Sequence, residues 1–232
     1  MTNTEGLYGI VGGEDKRMLT RRKFLRTSAL GLGSAVLGVE TILGLNEIVA
    51  AQSKVEYPAG VEVLAEYGQE LKHSRRGPNF IALTLFFKGK NGDPIIAAAD
   101  GKVLLSEYLG SSVGRVIFVG HGKEDDKFVI TSYAALQKSL VEPGQNVQRG
   151  QKIALMGGYL GSAYYDLNSD LLGFGIIKVP HDKDIPDNMV GAGLYRTNPH
   201  ESWFDGKPTC FDSARKYDTE TRFTLPLVCG KK

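Results

Sequence analysis

The sequence predicts a mostly β fold, a small antiparallel sandwich or barrel with a C-terminal extension. Three observations predict it. Apolar runs in the middle of the chain are only four to eight residues long, the length of strands rather than helices. Clusters of Gly, Asn, Asp and Pro separate them. Gly supplies 29 of the 232 residues, close to twice the ~7% of an average chain. Such an excess suits many tight turns and does not suit a helix bundle.

The elements follow in order. Phe80 to Phe87 reads as one buried strand, Phe-Ile-Ala-Leu-Thr-Leu-Phe-Phe. Gly89 to Pro94 is turn chemistry. Ile95–Ala99, Lys102–Leu105, Arg115–Val119 and Phe128–Tyr133 read as further strands, punctuated by Gly101, Gly110, Gly114 and Gly120. Helix propensity in Ala-Leu-Gln-Lys predicts one short helix over Ala134 to Leu140. Gly144-Gln145-Asn146-Val147 then returns as Gly150-Gln151-Lys152-Ile153. The two glycines suit positive-φ turn positions, and Val147 and Ile153 can enter one core. Pro180 to Asp187 is charged and reads as a long loop. Phe223 to Val228 reads as a final edge strand, because Pro226 lacks the N–H that a central strand needs.

The first fifty residues read as an address. Thr20-Arg21-Arg22-Lys23-Phe24-Leu25-Arg26 places paired arginines before a mildly apolar stretch, Thr27 to Val39. Val49-Ala50-Ala51 supplies small residues for cleavage. Arg21 and Arg22 give the signal its twin-arginine form, which makes the translocase of that pathway a partner during export. A membrane anchor fits less well, because Glu40 and Glu47 interrupt the stretch before the ~20 apolar residues of a span. The division is 1–51 as signal peptide, 52–185 as the β domain and 186–232 as an extension packed on it. The expected location is periplasmic or extracellular, with no stable membrane span. A formal charge of +2 argues against a nucleic-acid binder, which carries a basic excess. The two cysteines, Cys210 and Cys229, read as a disulfide in an exported chain. Two free thiols are the alternative.

Glycine turns and apolar positions together carry a resemblance. Gly92-Asp93-Pro94-Ile95-Ile96-Ala97-Ala98-Ala99-Asp100-Gly101-Lys102-Val103, the hairpin with His121-Gly122 and Thr131-Ser132-Tyr133, and the Gly-Gln repeat occur in one order and spacing. Gly157-Gly158 and Gly161-Ser162 follow. Over Gly92 to Lys178 the chain resembles the lysostaphin/LytM-type zinc endopeptidases of peptidoglycan. The resemblance implies a small antiparallel β architecture with a groove.

It also implies where a zinc site would lie. The family takes ligands from a His-x-x-x-Asp pair before the Gly-x-Pro turn and from a terminal His-x-His, and a further His follows the Thr-x-Tyr segment. Those positions hold Ala82, Phe86, Leu171, Gly173 and, for the catalytic His, Ala135. None has a side-chain donor atom, whereas zinc needs nitrogen, oxygen or sulfur ligands. No catalytic residue, metal ligand or cofactor is therefore expected. His121 and Asp125 also spell His-x-x-x-Asp, but read as a solvated turn. His73, His181 and His200 stand apart from one another in sequence. Gly110-Ser111-Ser112-Val113-Gly114 spells Gly-x-Ser-x-Gly without the helix that a nucleophile elbow requires. Asp166 and Asp170 read as a solvated pair. Trp203 and Phe204 form a candidate binding surface, or else close the end of the barrel.

The resemblance implies an exported, non-catalytic homologue whose partner is peptidoglycan or a murein hydrolase. An active zinc endopeptidase with non-standard ligands is one alternative. An exported β-barrel unrelated to the cell wall is another.

Overall fold

The computed structural model describes residues 55–71, 80–110, 113–157, 170–180 and 195–230. Twelve strands form there, with no α-helix among the described residues. The strands are β1 (Val63–Ala65), β2 (Glu70–Leu71), β3 (Phe80–Ile81), β4 (Leu85–Lys88), β5 (Pro94–Ile96) and β6 (Gly101–Tyr108). They continue as β7 (Arg115–Glu124), β8 (Lys127–Ser139), β9 (Asn146–Val147), β10 (Lys152–Met156), β11 (Leu171–Pro180) and β12 (Arg196–Thr197). The main sheet runs β1-β4-β11-β8-β7-β6-β9, with β12 on β11 and β10 joining β5 to β8. Every strand pair in it is antiparallel. The mostly β prediction holds.

Local chemistry explains the turns. Asp125 and Asp126 both adopt positive φ, 48° and 58°, the geometry of a two-residue hairpin whose twist matches its strands. They close β7 onto β8, with Glu124 opposite Lys127. The Gly-Gln repeat builds the same turn twice. Gly144 and Gly150 have φ of 88° and 80°. In each turn the Gln side-chain oxygen accepts a backbone N–H three residues back, Gln145 from Glu142 and Gln151 from Gln148, both at 2.9 Å. Val147 and Ile153 then enter one core, as the repeat suggested.

Three local expectations fail for tertiary reasons. The segment Ala134 to Leu140 is not a helix, because β8 continues through it to Ser139. There it pairs with β7, β10 and β11, and those ladders outweigh a few tenths of a kcal/mol of propensity per residue. Phe80 to Phe87 is two strands. β3 pairs with β2 in a small separate sheet, while β4 pairs with β1 and β11. Phe223 to Val228 makes only isolated bridges, Trp203–Phe223 and Ile95–Leu227. Its hydrogen bonds go in turn to Ser202, Thr209 and the β5 edge, so no single ladder forms.

The tail nevertheless belongs to the core. Trp203, Phe223 and Leu225 are buried with Leu85, Phe87, Ile95 and Phe174. Cys210 and Cys229 form a disulfide across 19 residues. Closing such a loop stabilises the fold by roughly 3 kcal/mol in the chain-entropy view. The Cys210→Ser/Cys229→Ser double variant should lose about that much in urea denaturation. An unchanged midpoint would assign the anchoring of the tail to Phe223 and Leu225 alone.

Candidate functional site

The fold gathers the five positions singled out in the sequence. Phe86 lies opposite Gly173 where β4 pairs with β11, and Ala134 lies opposite Gly173 where β8 does. Leu171 and Gly173 share a face of β11 because strand side chains alternate. A register shift in the β7–β8 pairing and a left-handed Ala135, φ 62°, displace residue 135 from simple alternation. Left-handed geometry is uncommon in a residue with a Cβ. It turns Ala135 inward, into the cluster.

The result is an apolar cluster of Ala65, Leu71, Ala82, Phe86, Ala135 and Leu171, with Leu64 packed against it. None of the six is more than 6% exposed. A Cβ added at Gly173 would touch Ala134 and Phe86 at 3.4 Å. The carbon side chains offer no atom that could hold a zinc ion, so the residues present do not fit that metal. Ala65 and Leu71 come from β1 and β2, so the N-terminal strands fill this place. A small hydrophobic core occupies the positions that the resemblance assigns to zinc ligands.

His121 corrects a second expectation. It sits within β7, is 1% exposed, and is not in a solvated turn. Asp125 lies beyond it in the hairpin turn, so the two do not act as a pair. A chain of hydrogen bonds surrounds His121. The Ala98 N–H donates to the Tyr133 hydroxyl at 3.0 Å. That hydroxyl lies 3.2 Å from the Thr131 hydroxyl, which lies 2.6 Å from His121 Nε2. His121 Nδ1 lies 2.6 Å from the Asp100 carbonyl oxygen. An amide N–H only donates and a carbonyl only accepts. Thus Nδ1–H donates to the Asp100 carbonyl, which leaves Nε2 of the neutral ring as the atom that faces the Thr131 hydroxyl. Phe223 meets the imidazole edge-on at 5.0 Å.

Burial pushes His121 down to about 4 from the ordinary 6.5, with nearby Arg149 adding to the shift. The sign follows. The unfolded chain takes up this proton first as pH falls, so the contribution is complete above 6.5 and is lost on the way down to about 4. The loss should reach about 3 kcal/mol. Urea midpoints at pH 7 and 4.5 should fall more steeply for the native chain than for His121→Asn. Equal falls would remove His121 as the cause.

Arg149 secures the neighbouring tail. Its guanidinium donates to the carbonyls of Ala98, Thr219 and Arg222 at 2.7, 2.8 and 2.8 Å. It also lies over the Tyr217 ring, 4.4 Å from the centroid. Nothing in the sequence marked this residue beyond its place inside the Gly-Gln repeat.

The remaining candidates are dispersed. Trp203 is 2% exposed and stacks on Phe174, so it is core and not an exposed binding surface. Phe204 is half-buried against Tyr217 and Arg215. Asp170 accepts the Asn91 N–H at 2.9 Å. His73, His181, Ser111, Ser112, Asp166, Arg21 and Arg22 lie outside the described residues. Among the described residues no three His, Cys, Asp or Glu side chains group as metal ligands. No helix there is long and apolar enough to cross a membrane.

Peptidase family M23 matches residues 83–180, the stretch that contains β4 to β11. Over those residues the chain is similar to the M23 peptidases. It is 30% identical over 122 residues to the murein hydrolase activator EnvC of Escherichia coli (strain K12), covering 51% of this chain and 27% of that protein. It is 32% identical over 120 residues to the peptidoglycan DD-endopeptidase ShyC of Vibrio cholerae, covering 52% of this chain and 25% of that protein. The chain thus spans about a quarter of either relative. Among solved structures, LytU superposes with a TM-score of 0.45 at 20% identity, covering 62% of this chain and 85% of that one. Named relatives of this M23 domain therefore include both a peptidase and an activator.

Proposed function

We propose that this is an exported, non-catalytic M23 protein that acts by binding, with peptidoglycan or a murein hydrolase as its partner. One observation carries the reading. Ala82, Phe86, Ala135 and Leu171 pack into a buried apolar cluster, with Gly173 against Phe86. Metal-assisted hydrolysis needs a held ion with one position open to water. The side chains of this cluster provide no ligand atom. The likeness to EnvC, a protein named as an activator, supports a regulatory role, and it is the missing donor atoms that weigh against the lytic role of ShyC. In this reading Arg21 and Arg22 direct twin-arginine export, residues 1–51 are removed, 52–185 form the β domain and 186–232 the extension. The protein then works in the periplasm or outside the cell.

The test uses the purified chain after removal of the leader. It should hold no stoichiometric zinc and leave no clearing in a peptidoglycan zymogram. It should be retained on sacculi, or raise the activity of a murein hydrolase mixed with it. One tightly held zinc with chelator-sensitive cleavage would overturn the reading. Neither retention nor activation would move the binding role away from the cell wall.

A further inference from the structure

Trp203 is the chain's single tryptophan, and its environment fixes the protonation of a histidine. The indole N–H donates to His200 Nδ1 at 3.0 Å. An indole N–H has no acceptor role, so Nδ1 carries no proton. The one ring proton of neutral His200 is therefore on Nε2, and it points at Glu66, 2.9 Å away. The Tyr57 hydroxyl donates to the same carboxylate oxygen at 3.1 Å. Burial, followed by the Glu66 charge, holds that phenol protonated far above its usual range. Every link in the run from Trp203 to His200 to Glu66, and from Tyr57 to Glu66, thus has one direction.

We propose that His200 is a proton-sensitive latch on Trp203. A second proton can enter only at Nδ1, the atom that accepts the indole bond. Once it is there, N–H faces N–H, and the buried indole loses its acceptor. An orphaned buried donor is costly, so the two rings must part. The Glu66 carboxylate faces Nε2–H, on the side of the ring away from the indole bond. It lies on the β1–β2 turn. Tyr57 is the other titratable group facing His200, with its ring 6.2 Å away. The backbone contact with the Asn198 side chain at 3.1 Å does not titrate.

The latch has a structural reach. His200 belongs to a short 3₁₀ turn, Pro199–Ser202, which Trp203 follows directly. Trp203 stacks on Phe174 at 5.9 Å and 15°. Phe174 follows Gly173 in β11. Release of the indole therefore bears on the strand that supplies Leu171 and Gly173 to the apolar cluster. The device couples acidity, an input that an exported protein meets directly, to the junction between the tail and the M23 domain.

A single tryptophan makes the test direct. Emission of the full chain should change reversibly in one sigmoidal step as the solution is acidified. The His200→Gln variant should show no step, because an amide can accept the indole N–H without titrating. Flat emission in the native chain would overturn the proposal, and so would the same step in His200→Gln. If His200→Gln fails to fold, ¹⁵N NMR of the native chain decides. Protonation at His200 Nδ1 must coincide with a shift of the Trp203 indole resonance, and an unmoved indole overturns the latch.

Discussion

Phe86→Asp should destabilise the protein by about 4 kcal/mol or more, a large part of the 5–15 kcal/mol that holds a typical domain together. Two costs add. Removing a buried phenyl ring leaves a cavity, which alone costs roughly 3–5 kcal/mol. The new carboxylate then sits among Ala65, Leu71, Ala82, Ala135 and Leu171 with no cation or donor side chain from the cluster. An isolated charge in such a place either takes up a proton or forces the packing apart. The same substitution installs the residue type that the resemblance places at this position, which makes the expected direction informative. Urea denaturation followed by circular dichroism measures the effect, and Phe86→Leu, expected to cost about 1–1.5 kcal/mol, is the control for volume. Added zinc should rescue neither variant. A Phe86→Asp protein within about 1 kcal/mol of the native chain would show that water or a ligand reaches the position. The non-catalytic reading would then lose its support.

Arg149→Ala should cost about 3 kcal/mol, from the loss of three hydrogen bonds made by a charged group. The two N–H groups on one guanidinium nitrogen serve the Thr219 and Arg222 carbonyls. The other terminal nitrogen serves Ala98. Ala98 retains partners in the backbone N–H and the hydroxyl of Thr224, so the loss concentrates on the tail. Arg149→Lys should recover less than half, because an ammonium cannot reproduce a planar fork aimed at separate carbonyls. Hydrogen exchange should show faster opening over 217–224 in either variant, with β7 and β8 unchanged. Exchange that quickens equally in β7 and β8 would make Arg149 a general core residue and not the fastening of the tail.

The sequence made the turns legible because they depend on local backbone chemistry. Gly144 and Gly150 stand at positive φ, as their repeat required. Asp125-Asp126 closes the central hairpin by the tolerance of Asp for left-handed geometry, whereas the glycines at 120 and 122 suggest a turn nearer His121. His121 was misplaced for that reason. Its neighbours suggest a turn, while its real surroundings, Asp100, Thr131 and Phe223, are distant in sequence. Ala134 to Leu140 failed in the other direction. A helix is favoured by these residues alone, but a strand is favoured by three neighbouring ladders that no local window contains.

The candidate site divides in the same way. Sequence by itself determined the elements that carry it, the frame of glycine turns, the cysteine pair and the absence of donor atoms at residues 82, 86, 135, 171 and 173. Those are properties of residue types and short spacings. Only the tertiary structure decided that these residues meet, that Ala65 and Leu71 join them, and that the meeting place is buried. It also decided that Trp203 faces inward onto Phe174, and that Arg149 and His200 tie the tail down. Burial and hydrogen-bond direction arise between residues brought together from far apart in the chain, and a pattern read along the chain does not contain them.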